Sequence, residues 1–142
     1  MILALVLLPM AAAAAALLLR GAKARRALLV LAAFAHLGLS VAAAVLRPAA
    51  ELGGLLGADA LGLTMLLTTS GLFAVVSLYV VGYLAREPAA PRDDLLDGGS
   101  FINEPERVFV VCLLAFLSSM TLVTVSRHLG LLWIAIEATT LA

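Results

Sequence analysis

Apolar residues run along this chain in long unbroken blocks, and polar residues gather between them. The blocks cover 2–19, 27–46, 61–84, 108–125 and 129–142. A bilayer core about 30 Å thick needs roughly 20 residues of helix, with a range of about 17–25. The first four blocks hold 18, 20, 24 and 18 residues, and each predicts a span. The fifth holds 14; at about 1.5 Å per residue it reaches only roughly 21 Å. Backbone in lipid must satisfy its own hydrogen bonds. The pattern therefore predicts an all-α, polytopic transmembrane fold in one unit, with four full spans and a truncated fifth.

The polar intervals set the orientation. Arg20, Lys23, Arg25 and Arg26 follow the first block, and Arg47-Pro48 stops the second. A short Gly-rich loop at 51–60 follows. The interval 85–107 carries Pro88, Pro91, Gly98, Gly99 and Pro105, too short and too broken for a core of its own. With the N-terminus outside, the inside loops hold seven Lys/Arg and the outside two, Arg47 and Arg127. Positive charge favours the inside, so the N-terminus is expected outside and 85–107 in the cytoplasm, on the inner (plasma) membrane. The positive charges follow the first block, the reverse of a signal peptide, although Ala11 to Ala16 offers small residues for cleavage. Asn103-Glu104-Pro105-Glu106 predicts a helix start, with Asn103 as N-cap, Pro in the first turn and Glu at the third helical position.

Composition agrees. Of 142 residues, 64% are apolar and 13% charged, against about 45–50% and about 25% in a soluble domain. Nine Lys+Arg balance nine Asp+Glu, so no net field favours nucleic acid. Cys112 is the single cysteine and can form no internal disulfide. With only His36 and His128 beside it, no metal or cofactor ligand set is visible. Nothing suggests a nucleophile–base pair either. Any chemistry is expected to involve ion movement or partner subunits.

Ionisable residues inside spans are costly and point to function. Glu137 stands about eight residues past Leu129, roughly 12 Å into the fifth block. It reads either as a proton carrier or as a protonated acid bonded at a packing interface. His36, mid-block, reads as a helix–helix hydrogen-bonding residue or as a relay. Arg127 and His128 suit snorkelling at the boundary. Thr64, Thr68, Thr69 and Ser70, with Ser118, Ser119, Thr121 and Thr124, are spaced to share helix faces. They bond between helices, bond back to their own carbonyls, or line a hydrated proton path. Tyr79, Tyr83 and Trp133 suit interfacial anchoring.

The stretch from His128 to Ala142, with its Ile-Glu-Ala-Thr-Thr-Leu string, resembles the fifth helix of antiporter-like proton-translocating membrane subunits. These occur in respiratory complex I, energy-converting membrane hydrogenases, formate hydrogenlyase and multisubunit cation/proton antiporters, and the string is most similar to the hydrogenase branch. The run from Ala58 to Leu63 is similar to the Asp-Gly/Ala-Leu opening of that family's third helix. The run from Ser77 to Tyr83 is similar to its Tyr-containing end. The resemblance implies a non-catalytic membrane subunit of an oxidoreductase complex, coupling redox chemistry in partner subunits to proton or sodium transport. It implies Glu137 as the translocating acid; His36, Thr68, Ser118 and Thr140 are weaker candidates for proton translocation, read from the polar positions within the spans. The implied partners are other membrane subunits, a redox-active peripheral arm, the bilayer, and a lysine on a later helix absent from these 142 residues. That absence makes the chain read as the N-terminal part of a larger subunit. The alternative is a structural module that helps an assembly form without an ion path of its own.

Overall fold

A computed structural model describes residues 1–86, 92–93, 100–101 and 105–142. Five helices follow in order: α1 (Ile2–Leu18), α2 (Ala22–Leu46), α3 (Ala60–Arg86), α4 (Glu106–Val125) and α5 (Leu129–Leu141). A single 3-10 turn, Leu52–Gly54, interrupts the loop before α3. Two-residue strands β1 (Arg92–Asp93) and β2 (Ser100–Phe101) pair antiparallel. Of the five helices, α2, α3 and α4 are long and apolar enough to cross a membrane; α1 and α5 are shorter apolar helices.

Helix boundaries track the apolar blocks with two informative exceptions. α2 begins at Ala22 and α3 runs to Arg86, so each continues beyond its apolar block into charged sequence. At α4 the expected start is corrected. Pro105 occupies the N-cap position with extended ψ 133, no side chain caps the helix, and Glu106 is the first helical residue, not the third. Its carboxylate is held by arginines of α2 and does not fold back on its own helix. Asn103, expected as the cap, lies outside the described residues, as do Pro88, Pro91, Gly98 and Gly99.

α1 packs against α2 and α4, α3 packs against α2 and α4, and α5 lies mainly on α4, with Leu131 packed against the cluster of Ile2, Leu56 and Val125. The first four helices thus form a closed bundle. Ala12, Ala13 and Ala16 of α1 and Ala32 and Ala33 of α2 are buried in one cluster with Leu29, Phe73, Leu114 and Leu117. Small side chains let helix backbones approach in lipid, where dispersion rather than water exclusion drives packing. Tyr79 and Trp133 face outward.

One end of the bundle is closed by charge. Glu106 accepts from Arg26 Nη2 at 2.7 Å and Nε at 3.2 Å, a two-point clamp between the starts of α4 and α2. The same Nη2 donates to the Leu84 carbonyl, 2.8 Å away, in the last turn of α3. Arg25 stands 3.8 Å from Glu106, and its Nη1 donates to the Leu19 carbonyl at 3.1 Å, just past α1. A cation suits those carbonyl ends because the helix dipole is negative there. Four chain segments therefore meet in one cluster. Arg20 and Lys23 stay exposed beside it.

The opposite end is closed by Glu51. Its carboxylate pairs with the Met1 ammonium and accepts the N–H groups of Ile2 at 3.1 Å and Leu3 at 2.9 Å. The first turn of a helix has unsatisfied donors, and here a remote loop supplies the cap. The bond from the Met1 ammonium, followed by that from Leu3, holds the Glu51 carboxyl below its usual value against a smaller opposing effect of desolvation. A depressed acid stabilises the folded state above its ordinary value, and that contribution is lost as the pH falls through the lower folded value. We expect hydrogen-exchange protection of the Ile2 and Leu3 amides to fall on acidification in the range where Glu51 protonates. Glu51→Gln should weaken that protection at neutral pH and flatten the dependence; an unchanged acid response in the variant would contradict this role.

Candidate functional site

The middle of the bundle holds a buried polar layer built on His36. His36 and Ser40 are four residues apart on α2 and so share a face. That face turns inward: both residues are fully buried. Ser70 of α3 meets the ring at Nδ1, 3.0 Å, and Thr121 of α4 meets it at Nε2, 3.0 Å. Ser40 Oγ lies 2.8 Å from Ser70 Oγ. Ser70 and Thr121 are as buried as the ring.

α1 supplies a further neighbour through its backbone. Pro9 lies inside α1 and has no N–H, so the carbonyl four residues earlier, Leu5, lacks its helical donor. That carbonyl stands near the His36 ring. One turn away on α4, Ser118 donates to the neighbouring Val6 carbonyl at 2.8 Å. Side chains of α2 and α4 thus lie against α1 beside the proline opening.

Each hydroxyl in the layer also has a carbonyl of its own helix within reach. Ser70 can donate to Leu66 O at 2.7 Å, Thr121 to Leu117 O at 2.7 Å, and Ser40 to His36 O at 2.8 Å. A hydroxyl has one proton and two lone pairs, and a neutral imidazole has one N–H and one acceptor nitrogen. Either neutral tautomer is therefore satisfied. With Nδ1–H donating to Ser70, Thr121 turns its proton to Nε2; with Nε2–H donating to Thr121, Ser70 turns its proton to Nδ1.

The acid singled out by sequence sits elsewhere. Glu137 is exposed on α5, and its side chain has no hydrogen bond or ion pair among the described residues. Thr140 is exposed and donates to the Glu137 carbonyl at 2.7 Å. Thr68 is exposed and donates to the Thr64 carbonyl at 2.9 Å. Ser118 is buried but bonded to α1 and not to the ring. The structure thus joins His36 to Ser70 and Thr121, both from the hydroxyl-rich faces, and leaves Glu137, Thr68 and Thr140 facing outward.

Sequence reading passed over Ser40 and the Pro9–Leu5 opening. The signals were present: a hydroxyl four residues after an intramembrane histidine, and a proline four residues after a carbonyl on a neighbouring helix. It also took Arg25 and Arg26 only as orienting charges. Among the described residues no group of three or more His, Cys, Asp or Glu side chains is placed to hold a metal ion. Comparison with protein-family models, curated proteins and solved structures returned no match.

Proposed function

We propose that the chain forms the opening helices of an ion-translocating membrane subunit in a complex I-like or membrane-bound hydrogenase assembly, with Glu137 exchanging a proton with a partner helix. One observation carries this reading: Glu137 lies outward on α5, about 12 Å along the helix, with no partner of its own among the described residues. A carboxyl facing lipid is costly, and such groups pair with other helices or face water. Among the described residues α5 packs mainly on α4 and Glu137 is exposed, which leaves room for another helix beside it. The resemblance of the α5 sequence to antiporter-like subunits supplies a chemistry for that helix, a lysine, and redox-active subunits as the source of drive.

In this reading α1 is the fourth span beside α2, α3 and α4. The N-terminus lies outside, and Arg20, Lys23 and the arginine–glutamate cluster lie at the cytoplasmic surface of the inner membrane. A scaffold reading has its own support. Thr68, Thr139 and Thr140 donate to carbonyls of their own helices and line no visible path. Glu137→Gln in the assembled, membrane-embedded complex separates the two readings. We expect proton pumping per electron to drop to near background while a native gel shows the intact complex. Pumping at the wild-type ratio would overturn the proposal, and loss of assembly with normal pumping in the residual complex would establish the scaffold role.

A further inference from the structure

We propose that His36 is a second proton-holding site, buried at the centre of the bundle and separate from Glu137. The inference rests on the hydrogen-bond geometry around the ring and does not depend on the role assigned to Glu137.

A histidine that only ties helices together needs its partners satisfied in one protonation state. This one has partners that satisfy three. The two neutral tautomers are covered by turning the hydroxyls of Ser70 and Thr121. The cation is covered as well. When a proton arrives at the free ring nitrogen, both Nδ1–H and Nε2–H donate, to Ser70 Oγ and Thr121 Oγ1, each 3.0 Å away. Ser70 then sends its own proton to Leu66 O and Thr121 to Leu117 O, both at 2.7 Å. The ring nitrogens, Ser70 and Thr121 all keep partners, the one hydroxyl bond to the ring reverses direction, and the net change is one added proton. An orphaned buried polar group carries the full cost of desolvation, so this redundancy is what separates a site that can change charge from one that cannot.

The Leu5 carbonyl of α1, left without a helical donor by Pro9, lies near the ring. Ser40 extends the layer on the opposite side through Ser70. Toward Thr121 the bonds end at a carbonyl, so the layer holds a proton and does not by itself conduct one through the bundle.

Charged groups stand well away. On α2 the next is Arg26, ten residues before His36; on α3 the nearest titratable side chain is Tyr79, nine after Ser70; on α4 it is Cys112, nine before Thr121. α1 brings only the Met1 ammonium, paired with Glu51, and α5 brings the outward-facing Glu137. Past the end of α4, Arg127 and His128 follow six and seven residues after Thr121; among the described residues none of these charged groups forms an ion pair with the ring.

Nitrogen-15 NMR of the full chain in lipid nanodiscs, labelled at histidine, tests this. Only His36 and His128 contribute, and His128→Asn assigns the signals. At neutral pH we expect both Nδ1–H and Nε2–H tautomers of His36. Between about pH 8 and about pH 4, the range around the ordinary histidine value, we expect an imidazolium signal to grow reversibly while the amide spectrum stays folded. Ser70→Ala should bias the neutral ring to one tautomer and weaken proton binding about tenfold or more, the scale of a lost hydrogen bond to a charged group. Ser70→Thr should restore both. If Ser70→Ala does not fold, the wild-type titration still decides. A single fixed tautomer and no imidazolium until the bundle unfolds would make His36 a structural pin and overturn the proposal. Failure of pumping in Glu137→Gln would leave this result untouched.

Discussion

Glu106→Ala is expected to cost the bundle about 3 kcal/mol, the low end of what breaking a buried ion pair costs when one partner is removed. Among the described residues Glu106 is the only acid in a cluster with two arginines, and the three side chains are 10–20% exposed. Removing it leaves Arg25 and Arg26 side by side without a counter-charge. The Nε of Arg25 already lacks a hydrogen-bond partner, so nothing there stands ready to compensate. The effect should reach all four segments, because Arg26 also holds the Leu84 carbonyl and Arg25 the Leu19 carbonyl. Reversible unfolding in mixed micelles would measure it. Glu106→Gln should lie between wild type and alanine, since it keeps an acceptor but loses the charge. Arg26→Met combined with Glu106→Leu should recover most of the loss, as apolar replacement of a whole pair often does. A loss below about 1 kcal/mol in Glu106→Ala would place the cluster with ordinary surface pairs and refute its role as a closure.

The same cluster shows where sequence reading stops. Counting Lys and Arg in loops treats Arg25 and Arg26 as orienting charges, and their neighbour in space is eighty residues away in sequence. No local pattern announces that pairing. The helices were readable because lipid demands long apolar blocks, and the blocks matched α1, α3, α4 and α5 to within two residues at each end. The start of α2 was not, since its first turn is built from charged residues that a hydropathy block excludes. At the candidate site the split is similar. His36 drew attention because an intramembrane histidine is costly, yet its partners depend on which faces of four helices meet. Glu137 stood out for the same reason, and its outward position depends on how α5 lies on α4.

Three polar features fall into two kinds. The arginine cluster and the Glu51 cap each join a helix end to a distant segment in one arrangement of bonds. The His36 layer has several. A bundle pinned at both ends and interchangeable in the middle can change the proton content of its centre without moving its helices.

Gly62→Ala is expected to destabilise the bundle by about 2 kcal/mol, within the usual range for overpacking a tight contact. A Cβ at Gly62 would stand 2.6 Å from the Thr124 carbonyl oxygen of α4. The obstacle is backbone, so no side-chain rotation relieves it; α3 and α4 must move apart. They are held together just there, because Gly57 N–H donates to the Val125 carbonyl at 2.8 Å and Arg127 N–H to the Leu55 carbonyl at 2.9 Å. Asp59 adds a second constraint on the same turn: its carboxylate accepts the Gly62 N–H at 2.7 Å and caps α3. Asp59→Ala alone should cost about 1 kcal/mol, the usual value of such a cap. The double variant should cost less than the sum, because once the start of α3 has shifted the cap is already weakened, and neighbouring changes of this kind do not add. Additive losses would show that the glycine contact and the cap act independently, and a neutral Gly62→Ala would show that the α3–α4 approach is softer than its geometry implies.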